Sequence, residues 1–378
     1  MSNGATPTPS SPSTSSGGRA LPVVDAPFFS APLVEVERVH VHYRVKGAHR
    51  PGLDGTLGDP SLLARRIVGQ LIPPGMVTVR AVDGVSFTIA PGEALGLVGE
   101  SGCGKSSVGR ALIRLEPIAS GRALIDGIDV ARARGGDLRK LRRRVQMVFQ
   151  DPYASLDPRL TIAQIIGEPL RALGIERKAR AREERVVELM QRCGLDPHLA
   201  HRFPHEFSGG QRQRAAIARA IAPGPKLLIA DEPVSALDVS VQAQIVELLG
   251  ELRAQLALSM LFIAHDLAVV RNVCQRIAVM YMGRIVEVAS SAALIDSPRH
   301  PYTHALVSAV PIPDPLLERR RRRELLTGEV PSALQPPSGC KFHPRCAMAT
   351  ARCRVEEPSL KQAALDRPVA CHVAHGEG

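Results

Sequence analysis

Three short stretches concentrate the residue types that handle phosphate and water. Gly99-Glu100-Ser101-Gly102-Cys103-Gly104-Lys105-Ser106, followed by Ser107, fits the spacing G-x-x-x-x-G-K-[ST]. Its glycines let backbone N–H groups close around phosphate oxygens, and a helix starting there adds positive potential. Lys105 is expected to reach the terminal phosphates and the Ser106 hydroxyl to ligate Mg²⁺. Further on, the apolar run from Leu227 to Ala230 ends in Asp231-Glu232. Asp231 at the tip suits a Mg²⁺ site, and Glu232 suits a general base polarising water for attack on a γ-phosphate. The third stretch, Phe207-Ser208-Gly209-Gly210-Gln211, puts Ser208 23 residues before Asp231, ahead of a helical pattern. Ser208 is an N-cap candidate, and the two glycines let the helix start approach another phosphate closely. A cap within the chain would not by itself call for Gly-Gly-Gln.

These groups need a scaffold that brings distant segments to one edge. An apolar strand, Ala94 to Val98, precedes the glycine-rich loop, and the pattern from Lys105 to Leu115 is helical. Strands are expected near Leu33 to Tyr43, Val77–Val82, Val85–Ile89, Arg122–Ile125, Val145–Phe149, Lys226–Ala230, Met260–Ala264 and Ile277–Met280. Helical segments fall between them, around Ile162–Leu173, Arg182–Cys193, Gly209–Ala222 and Val239–Gln255. Strands alternating with helices predict an α/β core around a parallel sheet. Residues 1–32, rich in Ser, Thr, Pro and Gly, read as a disordered tail, and the Pro- and Gly-rich stretch from Pro51 to Gly75 as a long hairpin connection. Residues 33–290 read as the catalytic domain, and 291–378 as a separate appendage rich in Pro and Cys.

The chain has 378 residues, 44% of them hydrophobic, which excludes a wholly disordered protein. Its formal charge of +11 favours an anionic partner, while 3% aromatics and no Trp argue against a base-stacking platform. No run approaches the roughly 20 apolar residues of a membrane span, and no secretory signal is visible.

The glycine-rich loop, Gln150, Ser208-Gly-Gly-Gln211, Asp231-Glu232, Ser235-Ala-Leu-Asp238 and His265 together resemble the ATP-binding subunit of an ABC transporter. The resemblance implies a P-loop NTPase fold: a RecA-like parallel core, an antiparallel β subdomain, and a helical subdomain near residues 151–208. It implies ATP and Mg²⁺ as cofactors and two cassettes closing head to tail, so that Ser208 to Gln211 of one faces the P-loop of the other. Asp238 would lie across that seam. His265 would contact the γ-phosphate, and Gln150 would sense Mg²⁺ and the attacking water. Tyr43, an aromatic on an early strand, is the candidate to stack on adenine; a plain sheet aromatic is the other reading of it.

The wider wording, Phe149 to Pro158, Pro204 to Arg214, Asp231 to Ser240 and Ser297-Pro-Arg-His-Pro-Tyr-Thr-His-Ala-Leu306, is similar to the ATPases of bacterial dipeptide and oligopeptide importers. The long early hairpin and Gly99-Glu-Ser-Gly-Cys-Gly-Lys105 further resemble the second of the two non-identical ATPases such importers carry. That resemblance implies two permease subunits, a sister ATPase, an extracytoplasmic binding protein and a peripheral place on the cytoplasmic face of the membrane. Import of nickel or another small solute is the alternative within the class. A soluble ATPase acting on ribosomes or DNA is the alternative outside it.

Cys340, Cys346, Cys353 and Cys371 lack the tight pair usual in structural zinc sites. Iron–sulfur clusters accept four thiolates at irregular spacing, and the resemblance points to a [4Fe–4S] cluster; zinc and unmetallated thiols stay open. His343 and His372 could replace a ligand, but each reads first as a surface or packing His. The basic runs Arg139 to Arg144, Arg177 to Arg185 and Arg319–Arg323 read as solvated or lipid-facing surfaces, with no nucleic acid expected.

Overall fold

The computed structural model of the protein describes residues 1, 31–46, 76–310, 328–362 and 367–376. The bulk of the expected tail, the connection from Pro51 to Gly75 and the run Arg319–Arg323 lie outside the described residues. The described residues from 31 to 376 form one compact unit.

Two sheets carry the fold. The smaller has the order β2-β1-β4-β5, from β1 (Val34–Lys46), β2 (Met76–Ile89), β4 (Ser120–Ile125) and β5 (Ile128–Asp129), all antiparallel. The larger has the order β11-β12-β10-β9-β3-β8-β7-β6. Its parallel centre is β3 (Ala94–Val98), β6 (Val145–Val148), β7 (Leu227–Asp231), β8 (Ser259–Ala264) and β9 (Arg276–Tyr281). On one flank β10 (Arg284–Ser290), β11 (Lys361–Gln362) and β12 (Pro368–Val369) add antiparallel pairs. The helices used below are α1 (Lys105–Leu112), α2 (Gly135–Arg144), α3 (Pro152–Ser155), α4 (Ile162–Ala172), α5 (Ala179–Arg192), α6 (Gly209–Ile221), α7 (Val239–Leu256), α8 (Leu267–Val273), α9 (Ser291–Asp296) and α10 (Pro301–Ala309).

The central strands are apolar on both faces because both faces are covered. Leu95, Leu97, Leu227, Ile229, Leu261 and Ile263 pack towards the antiparallel sheet and α1. Their alternate neighbours Val98, Leu228, Ala230, Met260 and Phe262 join a second core with α4, α5, α6 and α7. The helical segment packs on α6 through α4, whose start is fastened by a capping box: Thr161 N–H donates to Gln164 Oε1 at 2.9 Å, and Thr161 Oγ1 accepts from Gln164 N–H.

Two sequence expectations change. The separate strands Val77–Val82 and Val85–Ile89 are one strand, β2, because Gly84 takes φ +82° and absorbs the bend at Asp83-Gly84 opposite irregular register in β1. The expected separate appendage is built into the large sheet. Its strand β12 pairs with β10, Ala370 N–H donates to Val286 O at 2.8 Å, and Glu287 accepts from the N–H groups of Arg299 and His300.

Asp83 ties these layers together. Its carboxylate meets Lys341 Nζ at 2.9 Å, Arg284 Nη2 at 3.2 Å and His40 Nδ1 at 3.3 Å. Burial alone would raise this carboxyl, but Lys341, Arg284 and His40 outweigh it and bring it from 3.8 down to about 2. A carboxylate lowered in this way stabilises the fold above its unfolded value and loses that contribution as pH falls through the folded one. Asp83→Asn is therefore expected to cost about 2 kcal/mol of unfolding free energy at pH 7 and almost nothing at pH 2. Denaturant melts at both pH values check this, and an equal loss at the two would refute it.

Candidate active site

The glycine-rich loop leaves β3 and enters α1. A Cβ at Gly99 would stand 2.1 Å from Met280 O, and one at Gly104, where φ is +107°, 2.1 Å from Ala81 O. Only glycine lets the loop pass so close to two backbone carbonyls. Lys105 is buried, and its ammonium donates to Gly99 O at 2.7 Å and Glu100 O at 3.0 Å. Ser101 and Gly102 at the apex are exposed, while Cys103 is buried, which pushes its thiol up. Tyr43 donates its hydroxyl to Ser107 Oγ at 3.1 Å, so the expected adenine-stacking ring stands beside the loop.

Strand β7 delivers the two carboxylates. Ser106 Oγ donates to Asp231 Oδ1 at 2.8 Å, and Asp231 is 1% exposed. Burial pushes this carboxyl up, against the Ser106 bond, and its Oδ2 is buried with no protein partner. A hydroxyl beside a partly unsatisfied buried carboxylate is a donor set suited to a hard dication. Ser106, Asp231 and the side-chain carbonyl of Gln150 would hold Mg²⁺, which when bound offsets charge on phosphate oxygens.

Glu232 follows in the left-handed region, at φ +45°. Such a residue costs roughly 1–3 kcal/mol and persists only where its surroundings fix it. Here Glu232 N–H donates to Ile263 O at 2.9 Å, and Ser235 Oγ donates to Glu232 O at 3.2 Å. The turn carries the carboxylate between two other expected residues: Gln150 Nε2 donates to Glu232 Oε2 at 2.9 Å, and His265 Nδ1 lies 3.3 Å from the same oxygen. Glu232 is largely buried and His265 largely exposed, and the carboxylate is held between an amide and an imidazole. This arrangement can orient a water and take its proton.

The second phosphate-facing stretch stands at the start of α6. Ser208 Oγ accepts from Gln211 N–H at 3.3 Å and Ser208 N–H donates to Gln211 Oε1 at 2.9 Å, a capping box within the chain. Gln211 therefore has an intramolecular use that the sequence reading did not credit. Packing also limits the glycines, since a Cβ at Gly210 would be 2.7 Å from Val241 Cγ1. Ser208 remains exposed. At the start of α7, Asp238 is exposed without a cap bond and Val239 is 81% exposed.

Sequence reasoning missed the fastening between α3 and α6. The Arg212 guanidinium carbon lies 3.8 Å from the centroid of the exposed Tyr153 ring, and Arg219 donates to Ser155 O. Three arginines spaced along α6 gave no sign that two of them, Arg212 and Arg219, reach back to the segment after Gln150.

The cysteines gain no support as a cluster site. All are free, and the Cys340 thiol is pushed up to about 11, first by burial, then by Cys353, Cys371 and Cys346 nearby. Yet among the described residues no group of three or more His, Cys, Asp or Glu side chains stands close enough to hold a metal ion. His343 Nδ1 is engaged with Cys340 O at 2.9 Å and His372 Nε2 with Glu356 O at 3.1 Å. The expected iron–sulfur cluster thus finds no support among the described residues, and both His side chains are engaged with backbone carbonyls.

The ABC transporter family matches residues 82–235, and the oligopeptide/dipeptide transporter C-terminal region matches 286–353. The probable peptide ABC transporter ATP-binding protein y4tS of Sinorhizobium fredii is 55% identical over 295 residues, 78% of this chain and 83% of that protein. The chain belongs to the ABC transporter ATP-binding family. This cassette is also 51% identical, over 78% of its length and 90% of the relative's, to the oligopeptide transport ATP-binding protein AppF of Bacillus subtilis. Among solved structures it is similar to the ATP-binding cassette MJ0796 in a post-hydrolysis state bound to ADP and Pi. The TM-score is 0.55 at 26% identity, covering 68% of this chain and 98% of that one. It is likewise similar to cbiO1 of Clostridium perfringens, part of the ABC transporter complex cbiONQ. There the TM-score is 0.54 at 26% identity, covering 71% and 92%. The cassette is an ABC-type ATPase, and among the described residues no helix is long and apolar enough to cross a membrane.

Proposed function

We propose that this cassette is the ATP-hydrolysing subunit of a peptide importer, bound peripherally to the cytoplasmic face of two permease subunits. ATP would lie on residues 99–107 with adenine against Tyr43. Glu232 would act as general base, with Gln150 and His265 orienting water and γ-phosphate. A second cassette would close the site through Ser208 to Gln211 and Asp238. The reading includes a sister ATPase as that second cassette and an extracytoplasmic binding protein that delivers the peptide. The observation that carries it is the pairing of the two family matches on one chain: the catalytic segment with the oligopeptide/dipeptide transporter C-terminal region.

The test is to trap tagged Glu232→Gln protein with ATP in its native membranes and identify what co-purifies. Two permeases and a second cassette are the expected result, and the associated binding protein then leads to the solute. Recovery of ribosomes or DNA-repair proteins instead would overturn the transport role while leaving the nucleotide chemistry in place.

A further inference from the structure

The phosphate loop contains an acidic side chain, Glu100, next to Gly99. A carboxylate there opposes an incoming triphosphate. The fold does not leave that charge free. Arg345, from the C-terminal segment 245 residues away in sequence, grips both oxygens, Nη1 to Oε2 at 2.8 Å and Nη2 to Oε1 at 3.1 Å. This is the bidentate geometry in which an arginine–carboxylate pair is strongest. The Arg345 side chain is 6% exposed and that of Glu100 25%, so solvent screens the pair weakly. The backbone of the same residue is held too: Glu100 N–H donates to the hydroxyl of Tyr302, on α10, at 2.8 Å.

Arg345 is itself fixed. Phe342, three residues earlier, packs its ring 5.2 Å from Tyr281, 5.5 Å from Tyr302 and 5.6 Å from His300, centroid to centroid. Two segments of the C-terminal region, 297–306 and 340–346, thus converge on one residue of the phosphate loop. Independent fastenings, Lys341 to Asp83 and Ala370 to Val286, hold the region to the cassette without Arg345.

We propose that Arg345 is a positioning residue for the nucleotide site: it turns the Glu100 carboxylate onto the C-terminal region and neutralises it, so that this region sets the loop's affinity for Mg-ATP. The inference rests on reading residues 99–107 as the ATP site.

The test is calorimetric titration of Mg-ATP into the full chain at low and high salt, with thermal melts to verify folding. Arg345→Gln is expected to raise the Kd about tenfold at low salt, since one uncompensated charge beside the phosphates is restored. High salt should shrink the effect. In a Glu100→Gln background the same replacement should change the Kd less than twofold, because no charge is left to release. Arg345→Lys, which keeps the charge but not the fork, should fall between. A folded Arg345→Gln protein that binds within twofold of the parent would overturn the proposal, as would an equal loss in the Glu100→Gln background. If the parent chain itself fails to bind Mg-ATP, the reading of the loop falls and this inference with it.

Discussion

Replacing Glu232 by Gln is expected to slow ATP turnover by roughly 10²–10⁴-fold while nucleotide binding survives, the range typical of a lost general base. The substitution keeps the shape and the contacts. A glutamine at the same left-handed backbone position can still accept from Gln150 Nε2, now 2.9 Å from Glu232 Oε2. What it cannot do is take a proton from water. The groups held apart from that task, Lys105 on the loop and Asp231 beside Ser106, are untouched, so phosphate binding should persist. Single-turnover phosphate release and equilibrium ATP binding, measured on the same preparation, separate the two effects. Turnover within about threefold of the parent would move the base role away from Glu232. A parallel loss of binding would make Glu232 part of the nucleotide cradle instead.

The chemistry was the most legible feature of the sequence, because phosphate handling tolerates few spacings. Gly99 to Ser106 must carry glycines where a Cβ would strike Met280 O or Ala81 O, and Lys and Ser where α1 begins. The central strands were legible for a related reason. Strands such as β7 and β8 are buried on both faces and read as unbroken apolar runs. What escaped was whatever depended on partners far away in the chain. Asp83-Gly84 reads locally as a turn, and only the pairing with β1 makes it part of a strand. Met282-Gly283 lacks the Asn-Gly or Asp-Gly of the commonest two-residue hairpins, yet both residues take positive φ and β10 returns beside β9. That return creates the edge on which β12 pairs, so the C-terminal region joins the sheet instead of standing apart. The cysteine reading gained no support: irregular spacing is compatible with a cluster, but among the described residues no group of three or more candidate ligands stands close enough to hold a metal ion. Glu100 was given no role of its own because the phosphate motif leaves that position unspecified, and its partner Arg345 lies in another family-matched segment.

Lys105→Ala is expected to abolish tight ATP binding, raising the Kd by about 10²-fold or more, as losing one or two charge-assisted hydrogen bonds of roughly 1.5–3 kcal/mol each would do. Two effects act together. The phosphates lose the buried ammonium that lies closest to the loop, and the loop loses the donor that ties Gly99 O and Glu100 O at 2.7 and 3.0 Å. Gly99 O and Glu100 O accept from the Lys105 ammonium, so a phosphate that takes it over competes with those carbonyls, and part of the binding energy is offset by that exchange. Removing the side chain thus also loosens the loop, and the melting temperature should fall modestly. Lys105→Arg separates the terms: it restores a charge but cannot fit its planar fork into the space one ammonium occupies at 4% exposure. Its affinity should recover only in part. Filter binding with radiolabelled ATP, read beside circular dichroism melts, decides the matter. An Ala variant that is folded and binds within about threefold of the parent would remove Lys105 from the phosphate site.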